Sequence, residues 1–279
     1  MGDLHGVSRA EAALSRLASL PERPRIQRKG NSLVFVRSKN IRVGLYYSIL
    51  ATLSSVMLVA FWPWSAPLAW MSVTCLVVAG GYFGLGSSMV KKNNGKLAFS
   101  TRLILLFWLA GQRFSCNYYS RRCAAWNAVT ANVLIGRLLD DAEAEQCLSA
   151  GVTAVVDLTC EFSEAAAFIS LGEKYLNVPI LDLTAPSVPV LDGIADFIIS
   201  EARQGIVYVH CKIGYSRSVS AVGAYLLKSG QAPTVDAAVE MIRRARPSVV
   251  VRPEIWQALG DYRRVLASNG SIHGVDIRS

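Results

Sequence analysis

Cysteine and histidine are too few and too scattered here to indicate a metal centre or a disulfide framework. The 279 residues include six cysteines and three histidines, and no two cysteines stand in a C-x-x-C arrangement. We interpret Cys75, Cys147 and Cys160 as small buried apolar side chains. Cys116 and Cys123 lie in an arginine-rich segment, and the sequence assigns them no role.

Acidic side chains are scarce in the first part of the chain. Residues 1–125 contain 16 Lys and Arg against 3 Asp and Glu, whereas residues 126–279 contain 13 against 17. A nucleic-acid-binding protein would carry its positive charge on the folded domain, so the net charge of +9 does not predict a nucleic-acid partner. The charge flanks apolar segments instead, which favours a membrane surface as partner.

Charge is absent altogether from two long runs, Val43–Trp64 and Pro67–Val90. A helix over the first run would be about 33 Å long, enough for a hydrocarbon core of about 30 Å. Basic residues flank the pair: Arg37, Lys39 and Arg42 before it, and Lys91, Lys92 and Lys96 after it. This pattern predicts an integral membrane protein with two spans and both ends in the cytoplasm. The alternative is a buried helical hairpin in a soluble protein.

Two weaker patterns accompany these runs. Gly80 and Gly84 form a G-x-x-x-G motif, which favours close packing within the hairpin or a homodimer. The next apolar run, Leu103–Leu109, is too short to span and predicts an interfacial helix followed by a linker. The start of the chain lacks the apolar core of a secretory signal peptide.

From residue 126 onwards, strand-like and helix-like segments alternate. The predicted strands are Val133–Gly136, Thr153–Leu158, Leu176–Ile180 and Ile206–His210. The predicted helices are Asp141–Ser149, Leu191–Arg203, Arg217–Lys228, Thr234–Arg246 and Glu254–Val265. This alternation predicts an α/β domain with a central parallel or mixed sheet flanked by helices.

The predicted division of the chain has five parts. They are a basic cytoplasmic tail (1–40), two transmembrane helices (41–92), an interfacial helix with a linker (93–125), a catalytic domain (126–270) and a C-terminal tail (271–279).

The segment "VYVHCKIGYSRSVSAV", Val207–Val222, passes from a strand-like run through a short loop into a helix-like run. In such a turn the loop amides and the helix N-terminus face one point, which attracts a phosphate dianion. Arg217, in the first helical turn, can bind two phosphate oxygens. Cys211 lies under the same positive field, so its thiolate should form well below the free pKa of about 8.5. The predicted phosphate-binding residues are Lys212, Ile213, Gly214, Tyr215, Ser216 and Arg217.

Three neighbours of Cys211 are predicted to support it. Gly214 permits a backbone conformation that a Cβ would oppose. Ser218 could donate a hydrogen bond to the sulfur. We expect His210 to orient the loop rather than to titrate during catalysis.

The loop resembles the signature H-C-x5-R of cysteine-dependent phosphatases, in the form H-C-x-x-G-x-S-R-S of the dual-specificity family, and the resemblance extends over most of residues 130–265. It implies the dual-specificity phosphatase fold and a general acid, an Asp on a loop upstream of the cysteine. Asp182, 29 residues before Cys211, is the candidate. Asp192 is the competitor, and Asp157 suits a structural or rim role.

The mechanism that this resemblance implies has two steps. The Cys211 thiolate attacks phosphorus while Asp182 protonates the leaving oxygen, and a phosphocysteine forms. Water deprotonated by Asp182 then releases phosphate. Neither a metal nor another cofactor is expected.

Three functions fit these residues. We predict a membrane-anchored phosphatase acting on phosphotyrosine, phosphoserine and phosphothreonine in proteins. The first alternative is a phosphatase for a phospholipid head group, such as a phosphoinositide or phosphatidylglycerophosphate. Lys212 and "LDLTAPSVP" resemble the corresponding segments of lipid-directed relatives. The second alternative is a non-catalytic phospho-binding membrane module.

Overall fold

The computed structural model describes residues 39–273, with side chains as far as residue 268. The predicted C-terminal tail, 271–279, and all but the last two residues of the N-terminal tail, 1–40, therefore lie outside what can be compared with the prediction.

Two apolar helices open the described chain, α1 (Ile41–Ala60) and α2 (Pro67–Gly80). Helix α1 begins after Asn40, whose side chain accepts a hydrogen bond from the Val43 N–H. A π turn (Gly81–Leu85) and a 3₁₀ turn (Gly86–Met89) extend α2. Residues 41–60 and 67–89 are both long and apolar enough to cross a membrane, as the sequence predicts.

The close contact between these helices does not lie at the predicted pair of glycines. Gly84 has a φ of 137° and lies in the π turn, so Gly80 and Gly84 do not share one straight helix face. A Cβ on Gly44 of α1 would lie 2.8 Å from the Phe83 ring, which places the close approach there. A homodimer through Gly80 and Gly84 stays a prediction.

The segment that follows differs from the predicted interfacial helix and linker. A two-stranded hairpin, β1 (Lys92–Asn93) and β2 (Lys96–Leu97), leads into helices α3 (Phe99–Ile104) and α4 (Leu106–Ser120). The apolar run is broken at Leu105.

Side chains of α2 stabilise this break. Trp70 Nε1 donates to the Leu103 carbonyl oxygen at 2.9 Å, and Thr74 Oγ1 donates to the Ile104 carbonyl oxygen at 2.7 Å. These bonds satisfy carbonyls that the end of α3 leaves free. Helix α4 then continues through "NYYS", where the sequence predicted a linker.

The predicted catalytic domain contains a five-stranded mixed sheet, as the alternation of segments predicts. Its strands are β3 (Trp126–Thr130), β4 (Val133–Arg137), β5 (Val152–Thr159), β6 (Tyr175–Ile180) and β7 (Ile206–Cys211). They are arranged in the order β3-β4-β7-β5-β6, and β3 alone is antiparallel to its neighbour in this sheet. Strand β3 was not predicted. Because β7 lies between β4 and β5, its end is central to the edge where ligands bind in such sheets.

Helices cover both faces of this sheet. They are α5 (Asp141–Ser149), α6 (Ala166–Ile169), α7 (Val188–Ala202), α8 (Arg217–Lys228), α9 (Val235–Ala245) and α10 (Pro253–His273), with a 3₁₀ turn at Gly172–Lys174. Helices α7 to α10 pack on one face and α5 and α6 on the other. Thr234 caps α9 as predicted, since its Oγ1 accepts from the Ala237 N–H at 3.1 Å.

Candidate active site

Residues 212–216 form the loop between β7 and α8, where the sequence predicts phosphate binding. Gly214 has a φ of 76°, and a Cβ there would lie 2.4 Å from the Gly136 carbonyl oxygen. Only glycine fits this position without a shift of the backbone. Two further hydrogen bonds hold the loop: the Val250 N–H donates to the Tyr215 carbonyl oxygen, and Arg246 Nη2 donates to that of Ile213, both at 3.0 Å.

Cys211 lies at the end of β7, 3% exposed, at the wall of a cavity of about 340 Å³. Burial by itself raises the pKa of its thiol. The charge of Arg217 and the hydroxyl and N–H of Ser218 lower the pKa by more than burial raises it, so the net pKa is below the ordinary value. The Gly214 N–H also points at Sγ, at 3.3 Å. The geometry agrees with the nucleophile that the sequence predicts.

Arg217 is the first residue of α8 and is almost completely buried. Its Nη1 and Nη2 donate to the two carboxylate oxygens of Glu161 at 2.9 and 2.6 Å. Nε has no partner among the described residues. The end of the guanidinium is therefore held by Glu161, while its Nε–Nη2 edge is left for a phosphate group, which fits the predicted bidentate contact.

Asp182 lies two residues beyond β6 and lines the same cavity. Its Oδ2 accepts from Lys212 Nζ at 3.0 Å, and its Oδ1 lies 3.6 Å from Arg217 Nη2. Burial raises the pKa of this carboxyl, but Arg217 and Lys212 outweigh burial and hold it at about 2. Without substrate, Asp182 is thus ionised. The negative charge of a bound phosphate dianion would raise the pKa of Asp182, so that it could carry the proton that a general acid donates.

The loop that carries Asp182 also contacts the apolar helices. Asn40 Nδ2 donates to the Leu183 carbonyl oxygen at 2.9 Å. Leu181 packs in one buried cluster with Tyr82 and Trp108. The start of α1 therefore helps to fix the loop of the candidate acid.

The other two aspartates are placed elsewhere. Asp192 is on α7 and pairs with Lys228 at 2.5 Å, away from the cavity-lining residues. Asp157 is fully buried within β5, so a rim position is wrong for it and the structural role is the one that fits. Its Oδ2 accepts from Lys92 Nζ at 2.5 Å.

His210 faces the opposite side of the sheet from Cys211, because side chains alternate along β7. Its Nε2 lies 3.2 Å from Glu164 Oε2. Burial lowers the pKa of His210, but Glu164 more than offsets this and the net pKa is raised. His210 does not line the cavity, in agreement with an orienting role.

Asp157, Glu164 and His210 lie close enough together to hold a metal ion. The Lys92 ammonium already lies against Asp157, and its Nζ also donates to both Thr159 oxygens, at 2.9 and 3.0 Å. Lys92 thus supplies the positive charge that the buried Asp157 carboxylate requires, and His210 lies against Glu164.

Sequence reasoning missed several residues that shape the cavity. Glu161 lies just beyond the end of β5, and an acidic residue at that position was the sequence feature that could have indicated its contact with Arg217. Gln112, Ser115 and Tyr119 come from α4, and no local pattern connects that helix to the loop. Gln112 Oε1 accepts from Lys212 Nζ at 2.7 Å, whereas Ser115 and Tyr119 line the cavity directly.

Comparison with known proteins bears on this geometry. The family described as "Dual specificity phosphatase, catalytic domain" matches residues 140–265. Human dual specificity protein phosphatase 14 is 30% identical over 150 residues, which cover 52% of this chain and 72% of that protein. The chain belongs to the dual-specificity phosphatase family.

The chain is also similar to a relative named for a phospholipid substrate and to two solved structures. The phosphatidylglycerophosphate phosphatase PTPMT1 of Arabidopsis thaliana is 30% identical over 150 residues, covering 52% of this chain and 44% of that protein. The crystal structure of PTPMT1 aligns with a TM-score of 0.47 at 23% identity, over 53% of this chain and 99% of that one. Tk-PTP in its active form aligns with a TM-score of 0.46 at 27% identity, over 50% and 97%.

Proposed function

We propose that this phosphatase is anchored in a membrane and hydrolyses phosphomonoesters of proteins through a phosphocysteine. The observation that carries the proposal is the convergence of three side chains on one cavity: the thiol of Cys211, the guanidinium of Arg217, whose Nε has no partner among the described residues, and the carboxyl of Asp182. Nucleophile, phosphate-binding cation and proton donor are what this reaction needs.

In the first step the thiolate of Cys211 attacks phosphorus, and the bond from phosphorus to the leaving oxygen breaks. Asp182 gives that oxygen its proton. The Arg217 edge and the loop amides stabilise the charge on the phosphoryl oxygens. In the second step water attacks the phosphocysteine, Asp182 takes the proton, and inorganic phosphate leaves with the thiolate regenerated.

The membrane anchor is proposed from the surface of α1. Apolar side chains project from it without protein cover, namely Leu45, Tyr46, Ile49, Leu53, Val56 and Val59. Such a surface in water would be an aggregation site, whereas lipid covers it at no cost. Basic residues at both ends of the pair support a cytoplasmic location for the catalytic domain.

A phospholipid head group is the second candidate substrate, and one observation favours it. Helix α4 lines the cavity through Ser115 and Tyr119, and the same helix exposes Phe107 and Phe114. If that apolar surface contacts the bilayer, the cavity opens beside lipid head groups. The resemblance to a phosphatidylglycerophosphate phosphatase points the same way.

Catalysis is tested with the full chain in detergent and a small aryl phosphate. Cys211→Ser should abolish turnover, whereas Cys147→Ser, at a buried thiol on the other face of the sheet, should retain it. Vanadate should inhibit and chelators should not. Near wild-type turnover by Cys211→Ser would exclude the mechanism.

The substrate is tested by comparing kcat/KM for phosphopeptides with that for phosphatidylglycerophosphate and phosphoinositides in mixed micelles. A preference for the peptides supports the first candidate, and a preference for a lipid supports the second.

The anchor is tested by labelling intact cells with a thiol reagent that cannot cross membranes, in a Cys123→Ser background. Trp64→Cys, in the turn between the two helices, should react, and Gln204→Cys, on the catalytic domain, should not. Reaction of Gln204→Cys would exclude the cytoplasmic placement.

A further inference from the structure

Helix α4 brings one polar side chain to the charged groups of the active site. Gln112 Oε1 accepts from Lys212 Nζ at 2.7 Å, and the same Nζ donates to Asp182 Oδ2 at 3.0 Å. The Lys212 ammonium is thus shared between an amide oxygen of α4 and the carboxylate of the candidate acid.

The position of Gln112 is fixed by its neighbours one turn away on α4. Trp108 and Cys116 are each only 5% exposed, and both lie on the same helix face as Gln112. Trp108 packs with Leu181, which precedes Asp182, and Cys116 packs with Ile213 of the phosphate loop. Gln112 therefore lies between two buried contacts of α4, one with the segment that carries Asp182 and one with the loop 212–216.

The charged and titratable groups around Asp182 come from several elements. They are Cys211 from the end of β7, Lys212 from the loop 212–216, Arg217 from α8, Glu161 from the segment after β5, Arg252 from the cavity lining, and Tyr47 and Tyr82 from the apolar segment 41–89. Of the two cations closest to the carboxylate, Arg217 is held by Glu161 and Lys212 by Gln112.

We propose that Gln112 is a positioning residue for the phosphatase reaction: it holds the Lys212 ammonium beside Asp182 and so sets how strongly that cation favours the ionised acid. The inference rests on the proposed role of Asp182 as proton donor. An acid must carry its proton when the leaving oxygen departs, and a neighbouring cation opposes this. A side chain that controls the distance between the two therefore controls the pH range in which the acid works.

The test measures kcat against pH, which reports the acid in the enzyme–substrate complex, for the full chain in detergent, with phenyl phosphate as a substrate whose leaving oxygen needs a proton. Gln112→Glu adds a negative charge beside Lys212, which weakens its action on Asp182, so the decline at high pH should move up by about one pH unit. Gln112→Met removes the amide oxygen that accepts from Lys212. The Lys212 ammonium then interacts with Asp182 alone, so the decline of activity at high pH should move to lower pH. Asn117→Asp adds the same charge at an exposed position of α4 and should move nothing.

Opposite shifts for the two Gln112 variants support the proposal, because a merely structural role would not change sign with the charge introduced. Coincident profiles for wild type and both variants would overturn it, as would equal shifts for Gln112→Glu and Asn117→Asp. Should Gln112→Glu fail to fold, as judged by thermal unfolding, the profile of Gln112→Met decides alone. Failure of the proposed function would give a different result, because the Cys211→Ser variant would then still hydrolyse the substrate at the wild-type rate.

Discussion

The apolar helices and the catalytic domain differ in where they place charged side chains. Helices α1 and α2 carry almost no charge and leave apolar side chains uncovered, whereas the catalytic domain buries charges in pairs such as Arg217 with Glu161. Residues 90–120 do both, because α3 and α4 expose apolar side chains while Lys92 and Gln112 contact charged groups of the catalytic domain.

This comparison shows that the residues similar to the family do not coincide with the residues that stabilise the folded domain. The family match begins at residue 140, yet the catalytic domain depends on contacts made by residues before it. Lys92 compensates Asp157, Asn40 holds the acid loop, and the Glu164 N–H donates to the Gly95 carbonyl oxygen at 2.8 Å. We propose that the catalytic unit includes residues 90–120, rather than beginning at residue 126.

The largest expected effect tests this dependence directly. Lys92→Met leaves the Asp157 carboxylate buried without its cation, which should lower the free energy of unfolding by about 3–5 kcal/mol. Lys91→Met changes an exposed neighbour and is the matched control. Chemical unfolding of the full chain in detergent measures both.

The double variant Lys92→Met with Asp157→Asn should recover much of the loss, since no buried charge is then left unpaired. Equal stabilities for Lys92→Met and Lys91→Met would show that residues 90–120 are merely attached to the domain.

The next effect concerns Asp182, within the catalytic half. Asp182→Asn should slow hydrolysis of alkyl phosphates by about 100-fold or more, since their leaving oxygen needs a proton. Substrates with good leaving groups should be slowed less, because that oxygen departs unprotonated. Single-turnover rates for a series of leaving groups measure the difference. Asp192→Asn, on α7, is the control and should behave as wild type.

An equal loss of rate for all leaving groups would mean that Asp182 only shapes its loop. The decline of activity at high pH should also weaken in Asp182→Asn, because that decline reports loss of the proton from the acid.

The catalytic half was the easier part to predict from the sequence, for a physical reason. Loops such as residues 212–216 take their geometry from local features: a buried strand, Gly214 at positive φ and a helix start at Arg217. The fold follows from the alternation of strands and helices in the same way. Strand β3 was missed because its partly exposed residues carry no continuous apolar run.

Contacts distant in sequence could not be predicted. Lys92 looks like one more basic residue that flanks a span, and nothing local pairs it with Asp157, 65 positions away. Gln112 and Lys212 are 100 positions apart. Only the start of α4 was predicted as a helix, and its later part was predicted as a linker, because the side chains that this helix buries, Trp108 and Cys116, pack on another part of the chain.

A smaller effect is expected from Ser218, which tunes the nucleophile. Its hydroxyl lowers the pKa of Cys211, so Ser218→Ala should raise that pKa. Because only the thiolate reacts, the pH at which iodoacetate inactivation reaches half its maximal rate should rise equally. Ser229→Ala, beyond the far end of α8, should leave this pH unchanged. A rise in both variants would place the cause in the helix rather than in the hydroxyl.

The smallest effect completes the comparison of buried with exposed charge. Arg244 and Glu240 form an ion pair at 2.9 Å one turn apart on α9, and both side chains are more than half exposed. Water solvates each partner almost as well alone as in the pair, so Arg244→Gln should change the free energy of unfolding by only about 0.3–0.5 kcal/mol. The distance between charges is similar to that in the Lys92–Asp157 pair, so the two variants differ chiefly in burial. The same chemical unfolding experiment measures both. A loss for Arg244→Gln as large as that for Lys92→Met would mean that burial is not what makes Lys92 important to the domain.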